Sequence, residues 1–425
     1  MNRQIRRWAL LLLIAHLLTD GAAEAVTHPS TQYAPRTYQC VRAFSAPLID
    51  GLQDDPAWQN ADWTEEFVDI EGSEDDAPSL GTRVKLLWNN DALFILAELE
   101  EPAIQASLTE RDSVIFHEND FELFIDPDAD NHNYAELEIN ALGTIWDLLL
   151  TRPYRDGGRA VNGWDMKGLQ AAVSLDGTVN DASDEDEGWS VELAIPWAAL
   201  AELSDAPVPP RPGDRWHMNF SRVQYSSQTE EGRHVRSTAA DGSELPADNW
   251  VWSPQGVLAM HCPEMWGIVE FAGGIVLPGL PELNSEDYAR QALMCLYYWQ
   301  HDYHAEHGQF ASEKIEHWYD DYPLPEVDSF RDWLVQDEMW ASRDLFRFAM
   351  SNGLRTISID ERGQIRTVNR GLTEDLAIPQ AASQPVEEIS VVEEVAPEPV
   401  EETAADPAED PVRSSPDGRN VPPEL

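Results

Sequence analysis

The sequence predicts an all-β sandwich of jelly-roll-like antiparallel sheets, followed by a small C-terminal α+β appendage and a disordered acidic tail. Three observations predict it. Between Tyr38 and Phe271, short stretches alternate apolar and polar residues with the period-two rhythm of half-buried strands. Gly and Pro turns separate them, at Asp50-Gly51, Asp156-Gly157-Gly158, Asp176-Gly177 and Pro212-Gly213-Asp214. Eleven tryptophans lie between Trp58 and Trp266, an apolar payload that a two-sheet core can absorb.

In chain order, residues 1–25 read as a signal peptide. Arg3, Arg6 and Arg7 form a positive head, Trp8 to Leu18 is apolar but too short to span a bilayer, and Ala23-Glu24-Ala25 offers small residues for cleavage. The expected location is therefore exported, periplasmic or extracellular, with no transmembrane segment. A short linker leads to the sandwich, residues 38–272. Within it Arg83–Trp88 and Leu93–Leu99 alternate around Asn89-Asn90-Asp91. Further strands are expected at Thr144–Leu150, Trp189–Ile195 and His217–Tyr225. A Gly- and Pro-rich boundary follows, then the appendage, residues 284–370. Ser285 caps a helix there, Tyr288, Ala292, Leu296, Trp299 and Tyr303 mark its apolar face, and Gly308 stops it. A second helix is expected over Ser329–Met350, then a hairpin around Glu361-Arg362-Gly363. Residues 371–425 are rich in Glu, Pro, Ala and Val and read as disordered.

The chain has 425 residues, 78 acidic and 28 basic, for a formal charge of -50. That disfavours nucleic acid and anionic membranes, whose phosphates need clustered cations. The only lysines are Lys85, Lys167 and Lys314. An acid-rich, Lys-poor surface suits a salty habitat that screens self-repulsion; compositional drift with an acidic tail is the competing reading. In an oxidising compartment Cys40 and Cys262 are the expected disulfide pair, near the two ends of the sandwich, and Cys295 a buried thiol.

The most informative stretch is His117–Asn140. Phe121, Leu123 and Ile125 point one way, and Asp120, Glu122, Phe124 and Asp126 the other. In the next strand Ala135, Leu137 and Ile139 face the core, opposite Tyr134, Glu136, Glu138 and Asn140. Like charges on paired strands repel. A face holding Asp120, Glu122, Glu136 and Glu138 therefore needs an Arg, a metal ion or a hydroxyl-rich ligand. A solvated face with Arg counter-ions, a sugar-binding face and a glycosidase acid pair all remain open. Sugar binding uses carboxylates as hydroxyl acceptors and aromatic rings as stacking platforms; Phe116, Trp146, Trp250 and Trp252 are the candidate rings. Asp126, Asp128 and Asp130 sit in a turn that resembles a calcium loop. It is not an EF-hand, because Asn131 and Leu137 stand where that motif needs Gly and Glu. A calcium site and a solvated acidic turn are the two readings. His301, His304 and His307 recur on one helix, where a polar flank is the plainer reading than a metal site.

A resemblance then covers Tyr38 to Phe271. Leu48-Ile49-Asp50-Gly51, Pro56-Ala57-Trp58, Arg83-Val84-Lys85-Leu86-Leu87-Trp88, Asn119 through Asp126, Trp189 through Trp197, Asn219-Phe220-Ser221-Arg222 and Trp252-Ser253-Pro254 resemble the family 9 carbohydrate-binding modules, in consistent order. The likeness is to their exported, stand-alone branch. It implies a sugar-binding β-sandwich, often with structural calcium. It places the stacking aromatic at Phe116, the strand glutamate at Glu122 and the late loop Trp at Trp250 or Trp252. The family's strand Arg falls on Glu138, which exchanges a cationic donor for an acceptor; Arg222 as the substitute cation and calcium at the acid pair are the two expectations.

The expectation is an exported, non-catalytic carbohydrate-binding protein. Its ligand residues are Phe116, Asp120, Glu122, Glu138, Asn140, Trp146, Arg222, Trp250 and Trp252, with Asp126, Asp128 and Asp130 for a structural Ca2+. The appendage or tail is a candidate surface for a protein partner. The rival readings are a glycan hydrolase using the acid cluster and a haem- or cofactor-binding sandwich.

Overall fold

The computed structural model describes residues 28–30, 33–73, 76–273, 279–312, 327–335 and 340–369. The chain divides into two compact units, Met1–Leu372 and Thr373–Leu425. The described residues all belong to the first. The expected leader and the expected tail lie outside them.

The strands of the sandwich are β1 Thr37–Arg42, β2 Val68–Asp69, β3 Thr82–Trp88, β4 Ala92–Glu100, β5 Asp120–Asp126, β6 Tyr134–Asn140, β7 Ile145–Leu150 and β8 Ala160–Val161. They continue with β9 Gln170–Asp176, β10 Gly188–Pro196, β11 Arg215–Gln224, the short pair β12 Ser227–Glu230 and β13 Arg233–Arg236, β14 Asp248–Val251 and β15 Gly267–Phe271. One face has the order β8-β7-β6-β5-β11-β15-β1, and the other β1-β3-β4-β10-β9. Strand β1 belongs to both. Thr37–Cys40 pair with β15, and Val41–Arg42 pair with β3. Both pairings are parallel, a departure from the all-antiparallel expectation. The chain enters between the two sheets at their shared edge, so its first strand has no hairpin partner to dictate antiparallel register.

The main core fills the space between the sheets. Phe121, Leu123, Ile125, Leu137, Ile139, Met218 and Phe220 from one sheet meet Val84, Leu86, Ile95, Val191, Leu193 and Ile195 from the other. Fully burying each such side chain contributes roughly 1.5–3 kcal/mol. The outer face of β4 and β10 is also covered, by Trp58, Ala57 and Ala61. There Glu192 accepts the Trp58 Nε1–H at 2.6 Å and the Asp50 and Gly51 backbone N–H groups at 2.8 Å each. One buried carboxylate thus ties together three sequence motifs, Asp50-Gly51, Pro56-Ala57-Trp58 and the β10 strand.

First and last strands of the sandwich are neighbours, yet Cys40 and Cys262 form no disulfide. Cys40 points into the inter-sheet core, whereas Cys262 lies with Tyr33, Val257 and Met265 and donates to Glu264.

The appendage opens with helix α2, Ser285–His307, after the one-turn helix α1, Trp197–Leu200. Asn284, not Ser285, is its cap. Its side chain accepts from Glu286 and Asp287 while Asp287 reaches back to the Asn284 N–H. Gly308 ends the helix at φ 69°. The helix expected at Ser329–Met350 is corrected. Its described residues form a 3-10 turn and strands β16 Leu334–Val335, β17 Trp340–Ala341 and β18 Phe346–Ser351. Phe346, Phe348 and Met350 alternate and bury against α2. Strands β19 Arg355–Asp360 and β20 Ile365–Asn369 complete that small sheet. His301 is bonded to the Glu361 carbonyl at 2.9 Å, and His307 stacks on Tyr303.

The appendage docks onto the turn between β5 and β6 and onto the loops beside it. Ile365 N–H donates to the Asp130 carbonyl at 3.0 Å, and Asn131 Nδ2 to the Gly363 carbonyl at 3.0 Å. Arg290 donates to the Ala129 carbonyl at 2.9 Å. Deeper in, Arg155 pairs with Glu264 at 2.8 Å, and Tyr298 from α2 donates its hydroxyl to the same carboxylate.

Candidate functional site

Strands β5 and β6 pair in the register that the alternation predicts, with Glu122 directly opposite Glu138 and Asp120 opposite Asn140. The outer face of this hairpin is buried, not half-open. The turn Ile115–His117 and the segment around Met260–Trp266 close over it, packing Ile115 and Trp266 on Phe124, Tyr134 and Trp146. Asp120, Glu122 and Glu138 are 0%, 4% and 1% exposed.

The sheet lines up one rung across four strands. Ser221 on β11 faces Glu122 on β5, which faces Glu138 on β6, which faces Trp146 on β7. Residues opposite one another share a face of the sheet, about 5 Å apart. One carboxylate oxygen each from Asp120, Glu122 and Glu138 lies within 4.8 Å of the others. Asp120 Oδ1 accepts from Val223 N–H at 3.2 Å, and Glu138 Oε2 from Phe116 N–H at 2.9 Å. Asp120 Oδ2, Glu122 Oε2, Ser221 Oγ and Trp146 Nε1 are buried without a hydrogen-bond partner. Burial holds Asp120 well above the usual carboxylate range and pushes Glu122 up to about 7. It raises Glu136 and Glu138 strongly too, and the charge of Glu122 adds to both.

Phe116 is the accessible part of this site. The residue is 41% exposed, and its ring stacks on Trp146, with centroids 6.1 Å apart and planes 29° apart. Its backbone is held from both sides, by Glu138 and by the Tyr225 hydroxyl, which donates to its carbonyl at 3.0 Å. Asn140 is fully committed. It donates to the Leu108 carbonyl and Glu118, and accepts from Leu142 and Thr144. It anchors the loop that carries Phe116 and has no amide group to spare for a ligand.

Three expected ligand residues stand elsewhere. Arg222 alternates onto the inter-sheet side with Phe220. There it pairs with Glu101 at 3.0 Å and donates to Gln224 and Thr82. It does not replace the missing strand cation. Trp250 is the register partner of Arg222, so it shares that interior face and packs beneath the guanidinium at 5.4 Å. Trp252 packs edge-on to Tyr38 and against Phe220. At 3% and 1% exposure neither tryptophan offers a face for stacking. Ser221 and Tyr225 went unflagged in the sequence because only the β5–β11 pairing brings them here.

The acidic turn forms a second oxygen cluster. One carboxylate oxygen each from Asp126, Asp128 and Asp130 lies within 4.8 Å of the others. The turn is not solvated: Asp126, Asn131 and His132 are buried. Asp126 Oδ1, Asp128 Oδ1 and Asn131 Oδ1 have no partner, while each carboxylate's other oxygen is bonded within the protein. Burial raises all three carboxyls, Asp130 to about 7 with the charge of Asp128 adding. An all-oxygen set with orphaned acceptors fits a hard cation such as Ca2+.

Among the described residues, no helix is long and apolar enough to cross a membrane. No curated protein matches the chain. Several solved structures are similar to it. One is a Bacteroides uniformis protein provisionally described as carbohydrate-binding, 17% identical over 56% of this chain and all of that one, with a TM-score of 0.40. Two others are a family 9 carbohydrate-binding module from Caldicellulosiruptor kristjanssonii in complex with cellotriose, at 18% identity, and one in complex with glucose, at 15%. Each covers 57% of this chain and all of its own, with a TM-score of 0.35. The family model described as carbohydrate family 9 binding domain-like matches residues 49–243. That match takes in the acidic hairpin and Phe116.

Proposed function

We propose that the sandwich binds carbohydrate and seats its ligand on the Phe116 face of the β5–β6 hairpin. One observation carries the placement: Phe116 presents an open ring, backed by Trp146, directly above buried carboxylates. An aromatic face takes the apolar C–H side of a sugar ring, and polar groups around it orient the hydroxyls. The match of residues 49–243 to the family model supports the ligand class. The support does not extend to Arg222, Trp250 or Trp252, which are engaged in the core.

Binding without catalysis is the better reading of the acid pair. Inverting hydrolysis needs carboxyls about 6.5–9.5 Å apart with a water between them. Here the oxygens of Glu122 and Glu138 lie within 4.8 Å, too close for an inverting pair, and at 4% and 1% exposure the two carboxyls are closed off from the glycosidic bond that a retaining pair, about 5–5.5 Å apart, would have to flank.

Two further parts of the proposal rest on separate observations. A Ca2+ held by Asp126, Asp128 and Asp130 would brace the turn on which the appendage docks, supported by the orphaned oxygens there. Export is supported by the leader-like pattern of Arg3, Arg6, Arg7 and Trp8–Leu18; the N-terminal sequence of the mature protein from its host tests it. The carbohydrate reading is tested by a glycan array followed by calorimetry on the full chain. Saturable binding that weakens in Phe116→Ala is expected. A folded protein that binds no glycan rejects the reading, and binding indifferent to Phe116→Ala rejects the placement.

A further inference from the structure

We propose that the acid face of the β5–β6 hairpin is itself a divalent-cation site, with Asp120, Glu122 and Glu138 as carboxylate ligands and the Ser221 hydroxyl as a neutral one. The inference stands apart from the carbohydrate reading, because it rests on the groups beneath Phe116 rather than on the ring.

Three observations carry it. The first is shape. Oxygens bound to Ca2+ at about 2.4 Å on opposite sides of the ion are roughly 4.8 Å apart. The oxygens of Asp120, Glu122 and Glu138 all fall within 4.8 Å of one another. A single divalent ion can therefore touch all three.

The second is unspent bonding capacity. Ser221 is fully buried, its hydroxyl has no partner, and its register places it beside Glu122 on the acid side of the sheet. A hydroxyl can ligate a cation or donate to a carboxylate, and Ser221 lies close enough to Glu122 to favour its charged form while making no full hydrogen bond. Asp120 Oδ2 and Glu122 Oε2 are orphaned in the same way. Buried polar groups are nearly always satisfied, so three orphans on adjoining strands, two of them in one carboxylate cluster, mark a missing partner.

The third is charge. Among the described residues no ion pair reaches Asp120, Glu122 or Glu138. Arg222 has turned to the interior and is held by Glu101. Arg111 is held by Asp147 and Asp165. Buried carboxylates need protons or a cation, and a single divalent ion supplies the charge that the expected strand Arg would have brought. Oxygen-only ligands favour Ca2+ over transition metals.

This site is distinct from the acidic turn. Glu122 and Asp126 are four residues apart on β5, about 13 Å at the rise of a strand. The full chain, stripped with chelator, is titrated with Ca2+ alone by calorimetry, and metal content is measured after desalting. Two ions per chain are expected. Glu122→Gln with Glu138→Gln should remove one and leave the other, and Asp126→Asn with Asp128→Asn the reverse. The Gln pair should also melt higher than wild type in chelator, since it has lost the repulsion, and should gain less from added Ca2+. Ser221→Ala removes only a neutral ligand and decides the matter should the double variant not fold; about a tenfold weaker affinity at one of the two sites is expected. The proposal is overturned if wild type binds no Ca2+, if the Gln pair folds and retains both ions, or if Ser221→Ala leaves both affinities unchanged.

Discussion

Replacing Glu122 by Gln should stabilise the metal-free protein at neutral pH and leave it nearly unchanged near pH 5. In the unfolded chain the Glu122 carboxyl ionises near 4.5, but burial in the fold moves it to about 7. Between those values the folded state holds a proton that the unfolded state has lost. Stability therefore falls as pH rises through this window and levels off above it, as far as Glu122 is concerned. The shift corresponds to roughly 3 kcal/mol of ionisation penalty in full, little discounted by solvent because the group is buried. Gln keeps the shape and cannot ionise. Its amide can donate to Glu138, directly opposite on β6, or to the Ser221 hydroxyl. The same residue should therefore gain about 2–3 kcal/mol at pH 8 and close to nothing at pH 5. The assay is urea unfolding in chelator between pH 5 and 8. Lower pH is avoided, because Glu264 and Glu286 are held below the usual range by Arg partners and lose their contribution there. Asp120, Glu136 and Glu138 are raised as well, so the variant should retain part of the wild-type slope. Parallel stability curves for wild type and variant would refute the reasoning. So would a loss of stability at pH 8.

The other predictions concern how the site is held. Arg155→Met leaves Glu264 buried without its cation and removes the centre of the appendage interface. It should cost about 3–5 kcal/mol in urea unfolding, and adding Glu264→Gln should recover much of that; a loss under about 1 kcal/mol contradicts the reading. Gly51→Ala should lower the thermal midpoint by several degrees, corresponding to roughly 1–3 kcal/mol. Gly51 has φ +85°, and an added Cβ would sit 2.6 Å from the Ser174 backbone nitrogen. An unchanged midpoint would show that the turn can shift. Asp126→Asn with Asp128→Asn should reduce the stabilisation that Ca2+ confers, by about 2.7 kcal/mol where the ion stands a hundredfold above its dissociation constant. Equal Ca2+ responses in wild type and variant would place calcium away from the turn.

The hairpin itself was legible because its signal is local. Period-two alternation in Asp120–Asp126 and Tyr134–Asn140 gives both the strands and the face each residue takes. What covers that face is not local. Met260 and Trp266 come from a segment more than 100 residues away, and the turn at Ile115 folds back over the hairpin, so the sequence suggested a half-open acid face where the structure has a closed one. The fate of Arg222 follows the same logic. Its place on β11 was readable, but its side depends on the register with β5, which sets Ser221, not Arg222, opposite Glu122. Trp250 goes to the interior with Arg222 because the two are register partners. The missed strand at Phe346–Ser351 shows a different limit. Its alternation is only three apolar residues long, and the flanking sequence favours helix, until packing against α2 decides. The acidic turn was readable as a cluster of oxygens; that it also carries the docked appendage depends on contacts more than 200 positions away in sequence, such as Asn131 with Gly363.

The most direct test of carbohydrate recognition on this hairpin is calorimetric titration of the full chain with the oligosaccharide that scores highest on a glycan array, for wild type and Phe116→Ala side by side. Phe116 is 41% exposed and makes its main ring contact with Trp146, so the variant should fold with nearly unchanged stability. Wild type should bind saturably, and losing the stacking ring should weaken binding about tenfold, or roughly 1.4 kcal/mol. A wild-type protein that is folded, supplied with Ca2+ and silent towards every glycan would contradict the account.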